Sequence, residues 1–198
     1  MNNLAVICAI LAVILILAGN IKYLLDLING KIIPTKSTWI IAFSVTSLSI
    51  STFLATRFDL ISGAAGLADF SAATFVLPMI IFKFRHEKIH FARFEKYYLV
   101  AALICLMFWL ISNNPFQANL LVQILGTIGY LPTIHNILVN KKSHESKMAW
   151  TIWLTASFLS LYPAFSQHNF LAIIYTLRCI VMGGTVCLLT WKYSKSKK

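Results

Sequence analysis

The chain has 198 residues, of which 59% are hydrophobic and only 12% charged, and its mean hydropathy is +0.77. An ordinary soluble domain carries about 25% charged residues, so a soluble enzyme, a disulfide scaffold and a disordered tail are excluded and an integral membrane protein is implied. The formal charge of +11 takes its meaning from where the basic residues fall, not from their sum.

A bilayer core of about 30 Å needs roughly 20 apolar residues per helix. Seven apolar runs approach that length, at 4–28, 38–57, 62–82, 95–112, 117–139, 149–165 and 169–191. The first has no basic flank ahead of it, and LAGN at 17–20 offers no small-x-small cleavage site. It therefore reads as a retained helix and not as a removed signal. It also holds Lys22, a lysine well inside the run. The third run carries Asp69, Thr74 and Pro78. Between the third and fourth lies HEKIH, His86 to His90, a formal match to a zinc-protease pattern. A catalytic zinc needs three protein ligands in a shielded cleft, and this basic connection supplies no third, so the match is read as chance. The fourth run is the weakest, its uninterrupted apolar part extending from Tyr97 to Ile111.

The fifth run carries Gly126, Gly129, Pro132 and His135. A proline removes a backbone hydrogen bond from a helix interior, so Pro132 and Gly129 here, and Pro78 in the third run, are candidate hinges, with static kinks as the alternative. His135 is either a proton carrier or, more simply, bonded to backbone. Trp39, Trp150 and Trp153 read as interfacial anchors. The seventh run has no lysine to hold a retinal, but it has Arg178, fourteen residues before Lys192. At 1.5 Å per residue that is roughly 21 Å into the membrane. A charge there costs at least about 2.5 kcal/mol against lipid and must face the bundle interior. Asp69 lies the same fourteen residues from Lys83, so the two are expected to meet as a pair, either structural or in contact with a substrate. Gly183 and Gly184 suit close helix packing. Cys8, Cys105, Cys179 and Cys187 all lie in apolar runs and read as small packed residues.

Lysine and arginine crowd into the odd-numbered connections and the C-terminal tail, while the other side has only Arg57. The positive-inside rule then puts the N-terminus outside and the C-terminus in the cytoplasm. Contacts to anionic headgroups absorb the charge, and no nucleic-acid partner is expected. An ungapped shift of 111 positions matches eight residues between 27–49 and 138–160, among them Lys31 with Lys142, Lys36 with Lys147 and Trp39 with Trp150. The expected fold is an all-α membrane bundle of seven helices. Two parallel triple-helix repeats, 1–93 and 115–198 with its basic tail, are joined by an inverter helix at 94–114.

The stretch YLPTIHNILVNKKSHES, Tyr130 to Ser146, resembles the signature of the PQ-loop and SWEET transporter superfamily. The spacing of Gly30, Pro34 and Trp39 is similar to the first turn of uncharacterised bacterial seven-helix proteins of that kind. Pro132-Thr133 stands where that signature has Pro-Gln. The resemblance implies a transporter of the bacterial cytoplasmic membrane whose third and seventh helices line the substrate pocket. Asp69, Thr74, Tyr175 and Arg178 are then the candidate substrate-binding residues. The expected function is alternating-access transport of a small polar solute, with a membrane scaffold or complex subunit as the alternative. No enzyme activity, metal or cofactor is expected, and the substrate and any homo-oligomer stay open.

Overall fold

The computed structural model describes residues 3–34, 36–56, 59–86 and 93–194. All regular structure in them is helical: α1 Asn3–Ile28, α2 Lys36–Thr56, α3 Leu60–Lys83, α4 Arg93–Ser112, α5 Pro115–Ile128, α6 Leu131–Asn140, α7 Lys147–Ser166, α8 Phe170–Arg178 and α9 Gly184–Tyr193. A π-helical segment, Cys179–Gly183, joins α8 to α9. Over the described residues each of the seven apolar runs is mainly helical. The fifth is broken at Gly129 and Tyr130, just before Pro132, and the seventh is wound through the π segment immediately after Arg178. Glu87 to His90 of the HEKIH match lie outside the described residues, as does Arg57.

Among the described residues six helical rods are long and apolar enough to cross a membrane: Asn3–Ile28, Trp39–Thr56, Leu60–Lys83, Glu95–Ser112, Pro115–Asn140 and Phe170–Tyr193. The seventh, α7, has 20 residues but is diluted by hydroxyls and tryptophans. It packs against α1, α3, α8, the π segment and α9. Because neighbours replace lipid around much of its surface, it needs less apolar character. The chain is a multi-span integral membrane protein.

Sequence sets the helix starts. Asp59, Asn114, Ser146 and Asn169 each accept from a backbone N–H of the first turn, which satisfies donors that an α-helix leaves open. Pro115 follows Asn114 at the first helical position, where its fixed φ and missing N–H cost nothing. Side chains then tie the ends into two layers. At one, Lys83 Nζ donates to the carbonyls of Leu27 and Ile28, Ser146 Oγ donates to Asp26 at 2.5 Å, and Ser143 N donates to Tyr193 O at 3.1 Å. The last turns of α1, α3 and α9 thus meet the start of α7 at a basic end. At the far end, Asn169 Nδ2 donates to Ser62 Oγ at 2.8 Å and the Phe116 and Phe170 rings stack at 6.3 Å, so α3, α5 and α8 begin together.

α1 shows how one sequence serves two media. Ala5, Ala9, Ala12, Ile16, Tyr23 and Leu27 are buried along one face, while Ile7, Ile10, Ile14, Leu17 and Ile21 on the other are exposed to the lipid region. Small residues let backbones approach, which is where helix packing in a bilayer gains its energy. α3 packs on both α1 and α2, the α8–α9 rod packs on α5, α6 and α7, α1 packs on α7, and α2 packs on α5. α4 lies outside, against α2 and α5. The buried residues form four separate apolar clusters and not one core, because the centre of the bundle is a cavity.

Candidate functional site

The central cavity holds about 260 Å³ and reaches from mid-bundle to the basic end. Asp69 of α3, Thr46 of α2, Ser157 and Ser160 of α7, and Tyr175 and Arg178 of α8 line its deeper part. Glu95, Glu145, Trp39 and Trp150 line it nearer the basic end.

The two charges expected to pair do share this site, but they form no ion pair with each other. Tyr175 stands between them. Its hydroxyl donates to Asp69 Oδ2, and the Arg178 guanidinium lies over its ring, 4.9 Å from the centroid. Nε and Nη1 of Arg178 are buried without a hydrogen-bond partner. The guanidinium fits because α5 presents Gly126, where a Cβ would lie 1.9 Å from Nη1. Arg178 also immediately precedes the π segment, and such bulges recur at functional sites because they re-aim side chains out of helical register.

Thr74 is exposed, bonds the carbonyl of Phe70 at 2.8 Å and is not a lining residue. Among the hinge candidates, Gly129 and Pro132 line the cavity. Pro78 sits on an exposed face of α3, which continues through it. His135 is exposed and lies outside the cavity. Among the described residues Lys22 pairs with Asp26, and Lys31 with Asp26 at 3.9 Å, so the lysine inside the first span is matched one turn on. All four cysteines are free thiols.

Trp39, Trp150 and Trp153 were expected at the membrane interface; they line the cavity instead. With two tyrosines they form a continuous series of rings. Trp39 lies 5.3 Å from Tyr23, Tyr23 lies 5.5 Å from Trp153, Trp153 lies 5.3 Å from Trp150, and Trp150 lies 6.2 Å from Tyr130. Trp153 Nε1 donates to Asn20 Oδ1 at 2.9 Å, and Trp150 Nε1 donates to Glu145 Oε2 at 3.0 Å. Burial pushes the Glu145 carboxyl above the ordinary glutamate range, against the opposing pull of that hydrogen bond. Sequence position near a helix end suits an interfacial tryptophan and a cavity tryptophan equally, and only the helix rotation separates them.

A polar ladder between α2 and α5 had no signal beyond a few buried amides and hydroxyls. Asn119 Nδ2 donates to Ser49 O at 2.9 Å and Thr52 Oγ1 at 2.8 Å, and Gln123 Nε2 donates to Ser49 Oγ at 3.1 Å and Asn119 Oδ1 at 2.9 Å. Beyond Tyr175, toward the far end, a second cavity of about 20 Å³ is bounded by Phe53, Ser62 and Gln123 among others. Asp59 closes that end with α3 and α8. Burial opposes its ionisation, but hydrogen bonds from Ser62 Oγ, Ser62 N, Ile61 N and Asn169 outweigh it and hold the carboxyl below its usual range.

No known protein family, curated protein or solved structure matches the chain.

Proposed function

We propose that the protein transports a small polar solute across the membrane by alternating access. The observation that carries this reading is the central cavity. It brings Asp69, Tyr175 and Arg178 to mid-bundle, reaches the basic end, and is separated from the far end by Tyr175 and the Asp59–Ser62–Asn169 contacts. A scaffold has no use for two charges facing an unfilled space at that depth, where each is costly unless it serves a pathway. The reading is of a carrier and not of an enzyme. It carries with it the orientation from the positive-inside rule, with the N-terminus outside a bacterial cytoplasmic membrane.

The repeat belongs to the same proposal. Under an exchange of helices one to three with five to seven, the contact of α1 with α7 becomes that of the fifth rod with α2, and both contacts occur. The third and seventh rods each lie against both other helices of their own unit. Each unit also gives the ring series one tyrosine beside one tryptophan, Tyr23 with Trp39 and Tyr130 with Trp150. These relations support two parallel triple-helix units, as the resemblance to PQ-loop and SWEET transporters implies.

Purified protein reconstituted in liposomes should accelerate exchange of at least one solute from a pool of small polar metabolites over protein-free liposomes, and Arg178→Gln should abolish it. A cysteine at Ser157 in a background lacking the native cysteines should react with impermeant thiol reagents from the basic side. No accelerated exchange, together with a Ser157 position closed to reagent from both sides, would overturn the reading.

A further inference from the structure

The cavity has two chemically different ends. Arg178 marks the deep one. Nearer the basic end, where a Cβ on Gly183 would lie 3.9 Å from the Trp150 ring, Glu145 faces the cavity among aromatic rings. Among the described residues the Glu145 carboxyl takes a single hydrogen bond, from Trp150 Nε1, and has no cation paired with it. The Tyr130, Trp150, Trp153, Tyr23 and Trp39 rings, each 5.3 to 6.2 Å from the next and inclined to it by 32° to 86°, line the cavity beside it. Neither feature alone selects a ligand, but together they are selective. Aromatic faces carry negative quadrupole charge, and a cation held over them is attracted more strongly the more it is desolvated. A half-buried carboxylate without a cation is costly and is stabilised by receiving one. A neutral solute would use the rings and leave Glu145 uncompensated, and an anion would be repelled by both.

We propose that the aromatic surface and Glu145 form a binding site for the ammonium head of a small organic cation. This deepens the transport reading, on which it rests for its purpose but not for its chemistry. The head sits against the rings and Glu145 and away from the guanidinium of Arg178. The remainder of the molecule points toward Arg178, whose unpartnered N–H groups favour an acceptor there.

Choline and 3,3-dimethylbutan-1-ol have nearly the same shape and differ by a positive nitrogen against a neutral carbon. Purified detergent-solubilised protein is titrated with each while tryptophan fluorescence and melting temperature are followed. Choline should give a saturable change and the neutral alcohol none. Glu145→Gln, shown to be folded by a cooperative melting transition before ligand is added, should weaken choline binding about tenfold or more, and Trp153→Leu should weaken it as well. Equal binding of choline and its neutral analogue, no saturable signal from choline, or an undiminished affinity in Glu145→Gln would each overturn the proposal. Binding is read without flux, so the two readings fail separately. Choline binding without exchange in liposomes removes the transport reading alone, and exchange of another solute without choline binding removes the cation site alone.

Discussion

Tyr175 couples two charges that never touch. Asp69 accepts its hydroxyl while Arg178 rests on its ring, so removing the hydroxyl strands a carboxylate. Tyr175→Phe should therefore lower stability by about 1 to 3 kcal/mol, measured by thermal or denaturant unfolding in detergent. Gly126→Ala acts on the other partner. The atom it would meet, Arg178 Nη1, is the far end of a flexible side chain, so the guanidinium can give way while the helix stays. That variant should keep its folded yield and lose solute exchange. Gly19→Ala makes the contrast, since its Cβ would meet the Trp153 ring at 2.6 Å and that indole is fixed to Asn20. Glu145 gives a pH signature. A carboxyl raised by burial holds, in the folded chain, a proton that the unfolded chain has already released. Stability should thus fall as pH rises from the ordinary glutamate value through the raised one. Melting curves across that window should be flatter for Glu145→Gln than for the parent.

Element by element, polar contacts decide which helices stay together where apolar ones only permit contact. Lipid is as apolar as leucine, so α2 and α5 gain little from burying aliphatic groups against each other. Their ladder of Asn119, Gln123, Ser49 and Thr52 fixes register as well as affinity. Asn119→Ala should cost about 0.6 to 1.7 kcal/mol, from the average to the maximum measured for hydrogen bonds between membrane helices. Ser146 serves twice, capping α7 at Ala149 N and donating to Asp26 of α1. Its alanine variant should lose about 0.5 to 2 kcal/mol for the cap, and the α1–α7 contact should loosen with it. Amide exchange rising at the start of α7 and the end of α1 together would verify the linkage.

For the whole molecule, the seven rods alternate in direction between a basic end and a far end, and the cavity reaches the basic one. The proposed orientation is tested by labelling. A cysteine placed at Asn114 should react with an impermeant reagent added to intact cells, and one at Lys141 should react only after the membrane is opened. The reverse pattern would invert the protein and turn the cavity mouth outward. The fold's legibility follows from what each scale demands. Apolar length marks helices directly because a bilayer leaves backbone polar groups no other partner. The small-residue face of α1 and the caps at Asp59, Asn114, Ser146 and Asn169 are local patterns of the same kind.

Composition and run length alone determined that the chain is all-helical and membrane-embedded, and residue counting against Lys83 and Lys192 gave an expected depth for Asp69 and Arg178. Counting along a helix gives height but not azimuth. A residue's facing depends on how each rod is rotated and on local departures such as the π segment at Cys179–Gly183. Only the tertiary structure could therefore turn Thr74 outward and bring Trp39, Trp150 and Trp153 into the cavity. It also interposed Tyr175 between two charges expected to meet, because its ring occupies the path between them.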